Sequence, residues 1–199
     1  MIKIEELREL LEQDRSYRRF DETVGIDLAQ LKEIVGLTRF CASGRNLQPL
    51  KYTIVNQKSQ CDQIFTILKW AGYLTDWDGP KEGERPTAYI VQFLDTNITK
   101  NPLCDEGLQL QAITLGAVAM GYGACIIKSF NVAKLQEILG TDGYLQPTYV
   151  VAIGKPVEKV VIENLTIGSE EGIKYYRDTD GTHHVPKRTL DEILVKGLL

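Results

Sequence analysis

No stretch of this 199-residue chain holds the roughly eighteen consecutive apolar residues of a membrane-spanning helix. Histidine is scarce. The only two, His183 and His184, have no cysteine or third histidine nearby, so a metal centre is not expected. The four cysteines, Cys41, Cys61, Cys104 and Cys125, are widely spaced and form no Cys-x-x-Cys, which argues against a zinc knuckle or a redox pair and leaves buried, reduced thiols as the expectation for most of them. Positive charge is in deficit, with 23 Lys and Arg against 27 Asp and Glu and a net charge of -4, so nothing attracts nucleic acid or an anionic membrane in general. Glycine-rich dinucleotide fingerprints, internal repeats and low-complexity tracts are also missing. The opening residues, Met1-Ile2-Lys3-Ile4-Glu5-Glu6, are charged from the outset and contain no apolar run of signal length, and the expected location is the cytoplasm.

With 43% hydrophobic and 25% charged residues, the chain has material for a core. The patterning predicts one α+β domain over 1–199, with helices around a central mixed or antiparallel sheet and a C-terminal arm. A first helix is expected from Lys3 to Gln13, with Ile4, Leu7, Leu10 and Leu11 as its apolar stripe. Asp27, with Gln30 in the reciprocal capping position, starts a second helix carrying Leu28, Leu31, Ile34, Val35 and Phe40. Tyr52 to Val55 reads as a strand, Gln60 to Leu74 as a helix, and Ala88 to Leu94 as a strand apolar on both faces. Asp105 to Met120 reads as a long helix with Leu108, Ala112, Leu115 and Ala119 on one face. After Gly121-Tyr122-Gly123, a strand over Ala124 to Ile127, a short helix from Asn131 to Gly140 and a strand over Thr148 to Gly154 complete the expected core. Residues from Glu170 to His184 are polar and glycine-punctuated, as in an arm or surface loop.

Against the acidic background one cluster stands out. Asp14-Arg15-Ser16-Tyr17-Arg18-Arg19-Phe20 places three guanidinium groups and a hydroxyl within six residues. Guanidinium is a planar, permanently charged fork that matches phosphate oxygens in pairs, and a serine hydroxyl adds a neutral hydrogen bond. The bland alternative is a solvated charged face. A second segment, Ser43-Gly44-Arg45-Asn46-Leu47-Gln48-Pro49, offers hydroxyl and amide groups suited to the edge of a heterocycle with imide hydrogen and carbonyl oxygens, or it is an ordinary polar loop.

Four motifs in order make the chain resemble the FMN-dependent nitroreductase family. They are Arg15, Ser16, Arg18 and Phe20 after the first helix; Ser43, Asn46, Gln48 and Pro49; Asp105 and Gly107 opening a long helix that ends at Gly121 and leads through a strand to Phe130; and Lys187-Arg188-Thr189-Leu190-Asp191-Glu192 near the end. The resemblance implies a homodimer with FMN bound noncovalently at the subunit interface. NADH or NADPH would be the hydride donor in a ping-pong scheme, and a nitroaromatic, quinone or similar flat compound the acceptor. It implies that Arg15, Ser16 and Arg18 meet the phosphate, ribityl chain or pyrimidine edge, with Arg188 and Lys187 completing the clamp. Ser43, Asn46 and Gln48 would serve the site from the partner subunit, and Ile126, Ile127, Lys128 and Ser129 would line the ring. A cation such as Arg18 at the pyrimidine edge would favour the charge that develops there on reduction. No protein acid or base is implied.

Several residues depart from the family pattern: Asp14 where a basic residue is common, Leu50 for tryptophan, Lys128 for glutamate and Ser129 for glycine. The stretch from Trp70 to Pro80 either overhangs the ring or packs Trp70 and Trp77 into a core or interface. Two other readings stay open: a flavin-binding protein without efficient turnover, and a same-fold enzyme with dedicated chemistry such as dehalogenation, azoline oxidation or flavin fragmentation.

Overall fold

The computed structural model describes residues 1–165 and 172–195. They divide into two compact units, Met1–Trp70 with Asp78–Val157, and Ala71–Trp77 with Glu158–Leu199.

The first unit is built on a sheet in which every strand pairing is antiparallel. Its longest strand, β5 (Leu145–Pro156), lies beside β3 (Ala88–Asp95), and β2 (Leu50–Val55) pairs with the far side of β3. The other side of β5 takes β4 (Gly123–Ile127) and then the two-residue β1 (Phe20–Asp21). Of the two sheet types expected, the antiparallel one is found, and the sole parallel element here is an isolated bridge between Ser16 and Ala124.

The near-continuous apolar run of β3 reads correctly as a strand covered on both faces: Tyr89, Ile90 and Val91 are all fully buried. On one face α2 (Leu28–Gly36) and α4 (Asp105–Ala119) bring Leu31, Ile34, Leu110, Ile113 and Ala117 against Ala88, Ile90, Val151 and Ile153. Alternate β3 residues point the other way, where α3 (Lys58–Phe65) and α5 (Val132–Leu139) pack together and α5 meets β5. Each such aliphatic side chain contributes about 1.5–3 kcal/mol by leaving water. Capping follows the sequence closely. Asp27 and Gln30 form the expected reciprocal box, Asn131 Oδ1 accepts from Lys134 N, and Gly140 ends α5 in the left-handed region.

Four expectations need correction. The α4 face of Leu108, Ala112, Leu115 and Ala119 is the less buried one, with Leu108 43% exposed, because the core takes Leu110, Ile113 and Ala117 instead. Close packing selects that face: a Cβ on Gly116 would lie 2.6 Å from Leu37 Cδ1. The α1 (Ile4–Gln13) stripe is covered only in part: it meets α4 and Leu10 is half-buried, but no residue of the helix is fully buried. The α2 stripe ends short of Phe40, which sits 84% exposed on a following 3-10 turn.

The helix expected from Gln60 to Leu74 stops at Phe65. Its second half is drawn into extended pairing instead: Lys69 N donates to Ser129 O at 2.9 Å, Asn131 N donates to Ile67 O at 3.1 Å, and Leu68 bridges Phe130. Of the cysteines, only Cys61 and Cys125 are buried, while Cys41 is half-buried and Cys104 exposed.

In the second unit β8 (His183–Lys187) lies between β6 (Val160–Asn164), which is parallel to it, and the antiparallel β7 (Tyr176–Arg177). The expected arm therefore contains strands, too short for alternation to reveal; its first two residues, Glu170 and Glu171, lie outside the described residues. A tight turn joins β7 to β8, where Asp178 Oδ1 accepts from the backbone of Asp180 and Thr182, and α6 (Leu190–Ile193) follows.

Gly123 and Gly154 face each other across β4 and β5. A Cβ on Gly154 would stand 2.8 Å from Phe20 Cδ1, and one on Gly123 2.5 Å from Tyr17 Cδ2. Gly154→Ala should therefore lower the stability read from the urea midpoint by about 1–3 kcal/mol. Gly25→Ala, whose added carbon meets nothing within 4 Å, should stay within about 0.5 kcal/mol of the parent. Equal effects of the two changes would refute the close-approach account.

Candidate functional site

The arginine segment is hung on the sheet by its backbone. Tyr17 N donates to Ala124 O at 3.0 Å beside the Ser16–Ala124 bridge, and Phe20, fully buried, enters β1 against Pro156. Ser16 and Arg18 thus run alongside the start of β4, whose exit carries Ile126, Ile127, Lys128 and Ser129. Ile127 is buried, Ile126 is 40% exposed, and Lys128 and Ser129 are exposed, with Lys128 Nζ 4.1 Å from the centroid of Tyr149. The Lys69 bond to the Ser129 carbonyl holds this exit in place.

The three arginines have different fates. Arg19 forms a two-pronged pair with Glu84 at 2.5 and 2.9 Å, so it is held by the protein's own carboxylate. Arg18 Nη1 donates to the Ser16 carbonyl at 3.1 Å. Arg15 Nη2 donates to the Leu11 carbonyl at 2.7 Å, while its Nε is buried without a hydrogen-bond partner. Asp14 leaves Arg15 for α4, where its Oδ2 accepts from Thr114 Oγ1 at 2.8 Å and from the Gln111 amide. Burial pushes the Asp14 carboxyl up, against the lowering effect of these bonds. Asp14 is thus a tether to α4.

The loop with Ser43, Asn46 and Gln48 is anchored farther along the same helix. Asp105, almost fully buried, accepts from Ser43 Oγ at 2.5 Å and from Gly44 N at 2.8 Å, and Ser43 Oγ accepts from Gln48 N at 2.9 Å. Positive φ at Arg45, Asn46 and Gln48, 53°, 55° and 50°, makes the loop tight, and the Gln48 amide donates to Asn46 Oδ1 at 3.2 Å. The Ser43 hydroxyl hydrogen is therefore committed within its own chain. The Asp105 anchor and the Gln111 and Thr114 anchors lie six to nine residues apart, roughly 9–14 Å along α4 at 1.5 Å per residue. The first unit sets the arginine segment against the start of β4 at Ala124, while the Ser43 loop is held from the other end of α4. That loop instead walls a cavity of about 260 Å³ with Arg39, Lys51 and Gln109, which carry no motif and stand outside the sequence candidates.

Lys187 and Arg188 belong to the second unit, both exposed at the end of β8, with Arg188 Nη1 3.4 Å from Glu192 Oε1. The strand is pinned by His184, whose Nε2 lies 3.0 Å from Asp178 Oδ2 and whose Nδ1 lies 3.1 Å from Glu163 Oε2, with Tyr176 stacked on the ring at 4.7 Å. The tryptophans split between units: Trp70 is buried against Phe65 in the first, and Trp77 takes the Arg177 guanidinium over its ring at 4.8 Å in the second.

A family model described as the nitroreductase family matches residues 11–76 and 93–155. No curated protein sequence matches. Among solved structures, the chain is similar to a nitroreductase family protein from Streptococcus pneumoniae TIGR4, with a TM-score of 0.67 at 15% identity over 96% of this chain and 100% of that one. It is also similar to an FMN-dependent nitroreductase from Clostridium difficile R20291, with a TM-score of 0.60 at 18% identity over 75% and 87%. A third similar structure is the NADPH:FMN oxidoreductase from Vibrio harveyi complexed with NAD+, with a TM-score of 0.59 at 20% identity over 75% and 68%. At these identities the likeness is one of fold.

The His184 pin is sensitive to pH. Its hydrogen bond to Asp178, and then that to Glu163, raises the imidazole above its ordinary value of 6.5. A raised value means that the stabilisation is complete below 6.5 and is lost as pH rises through the folded value. Amide-exchange protection in β8 should therefore be higher near pH 6 than near pH 9, and His184→Gln should abolish most of that difference. An unchanged difference in the variant would assign it to other groups.

Proposed function

The chain belongs to the nitroreductase family, and from that premise we propose that it is a flavin-dependent oxidoreductase of the cytoplasm. In this reading FMN is bound noncovalently, NADH or NADPH is the donor, and a nitroaromatic, quinone or similar flat compound is the acceptor. The observation that carries the reading is Arg15. Its guanidinium is paired with no carboxylate among the described residues and keeps a buried Nε without a partner. It adjoins the exposed Ser16, which bridges Ala124 at the start of β4. The donor set suits a phosphate ester: Arg15 is held at one nitrogen by the Leu11 carbonyl and by no carboxylate, while its neighbour Arg19 is closed by Glu84 and the adjacent acid accepts from α4.

The bound flavin would supply the ability to accept hydride and pass it on. Arg15 and Ser16 would hold the phosphate end, and the family resemblance assigns Lys187 and Arg188 to the same group. Arg18 would place a cation by the pyrimidine edge, and the backbone at Lys128 and Ser129, held by the Lys69 bond, would orient the ring. No side chain is assigned as a proton donor or acceptor.

The uncovered apolar sides of α1 and α4 support a homodimer in which Ser43, Asn46 and Gln48 serve the partner's site. Ile4, Leu7, Leu11 and Leu108 are 62%, 41%, 41% and 43% exposed in the single chain, more than an isolated stripe would leave to water.

The purified protein should be yellow and should bleach when NADH or NADPH is added without oxygen. Arg15→Ala should weaken FMN binding about 10- to 100-fold, as expected when a charge-assisted hydrogen bond is removed. Bleaching by dithionite alone would point to a binding protein without turnover. A colourless preparation that takes up no added FMN would end the flavin reading.

A further inference from the structure

The cavity behind the Ser43 loop has a one-sided hydrogen-bonding character that can be traced into the core. Gln92 is fully buried in β3. The Glu106 carbonyl can only accept, so Gln92 must turn its amide nitrogen towards it, at 3.4 Å. The second hydrogen of that nitrogen goes to Tyr52 Oη at 3.1 Å, and Gln92 Oε1 accepts from Thr148 Oγ1 at 2.9 Å. Having accepted from Gln92, Tyr52 Oη donates its own hydrogen to Gln109 Oε1 at 2.6 Å. Burial pushes the Tyr52 phenol far above its ordinary value, so this proton stays in place. Gln109 is left with its oxygen filled and its amide hydrogens without a partner among the described residues, although it is only 6% exposed and lines the cavity. Chains of this kind polarise their members, which makes the terminal amide a better donor.

Arg39 and Lys51 line the same cavity, and neither side chain has an ion pair or hydrogen bond among the described residues. Asn46 and Gln48 also line it, with the Gln48 amide nitrogen donating to Asn46, and the other polar groups bond within the chain. Thr38 donates to the Val35 carbonyl, Ser43 donates to Asp105, and the Cys41 thiol, pushed up by burial, faces the Leu37 and Leu108 carbonyls. Among the described residues no carboxylate lines the cavity. Asp105 sits behind Ser43 with its oxygens taken by the hydroxyl and by Gly44 N–H. Two uncommitted cations and a buried donor amide, unopposed by an acid, call for a guest rich in acceptors and negative charge.

We propose that this cavity is an oxyanion subsite that takes a phosphate group, held by the Arg39 fork, the Lys51 ammonium and the Gln109 amide. The volume of about 260 Å³ admits a phosphate with part of whatever it esterifies. Three sources share this chemistry: the 2′-phosphate of NADPH, the phosphate of FMN, and inorganic phosphate. The FMN source rests on the flavin reading, since Ser43, Asn46 and Gln48 also line this cavity, whereas the other two sources need only the donors Arg39, Lys51 and Gln109.

The test titrates the full chain with inorganic phosphate at an ionic strength held constant with chloride. The readout is the nitrogen-15 side-chain amide signal of Gln109, assigned by its loss in Gln109→Met. A saturable shift is expected, and Arg39→Gln with Lys51→Gln together should weaken it at least tenfold while circular dichroism stays unchanged, both residues being exposed. A shift that does not saturate, or that persists undiminished in the double variant, overturns the proposal. Displacement of phosphate by NADPH and not NADH identifies the donor's 2′-phosphate as the guest, and displacement by FMN identifies the flavin's. Displacement by neither identifies a free phosphate or another phosphorylated compound. Each of these three supports the subsite. A colourless protein that still binds phosphate would separate failure of the flavin reading from failure of this one.

Discussion

A close approach of two backbones, allowed only because two facing residues have no side chain, underlies the placement of everything around the arginine segment. Gly123 and Gly154 lie opposite each other in β4 and β5, and Tyr17 and Phe20 occupy the room that their Cβ atoms would fill. β1 is two residues long and could not hold an extended segment by ladder bonds alone. Burial of the Phe20 ring and the Arg19–Glu84 pair supply the rest. Without that seat, Ser16 would not bridge Ala124, and the arginine segment would have no fixed relation to the start of β4.

The helix α4 is the second organiser, and it works through polar residues set among apolar ones. Asp105 at its first turn holds the Ser43 loop, Gln109 ends the chain of hydrogen bonds from Thr148, and Gln111 with Thr114 holds Asp14. Its apolar face meets α2 and the sheet. Because the tethers rise from a helix wedged against the core, the loops they hold are fixed in register with the sheet. The opposite side of α4 meets α1 only in part, and Ile4, Leu7, Leu11 and Leu108 stay exposed in a single copy. That is the arrangement expected of a surface made for a second chain, and it agrees with the homodimer put forward above.

Much of the fold was legible because it is written in local spacing. The caps at Asp27 and Asn131, the doubly covered β3 and the turn after α4 all follow from residues within a few positions of one another. The family was legible because Arg15, Ser16 and Arg18, the Ser43 loop and the Lys187–Arg188 pair fall in one order along the chain. What escaped was pairing at long range. The second half of the helix expected to Leu74 had adequate helical pattern and lost to bonds with residues 129–131, and the strands of the second unit were too short for alternation to show. A single amide inside the apolar strand from Ala88 to Leu94 was the one readable sign of the polar chain that ends at Gln109.

The sequence by itself determined where most elements begin and end, which residues cap them, and which family the chain belongs to, since all of these depend on residue type at short, fixed intervals. Only the tertiary structure decided which face of α4 turns inward, that Arg19 rather than Arg15 is closed by Glu84, and that Asp14 serves α4. It also decided that the Gln109 amide ends unfilled at a cavity carrying Arg39 and Lys51. In each case the partner is distant along the chain, 65 residues in the Arg19–Glu84 pair and 100 in the Asp14–Thr114 bond. Such partners meet only after strand register and helix packing have set the geometry, and no local pattern encodes them.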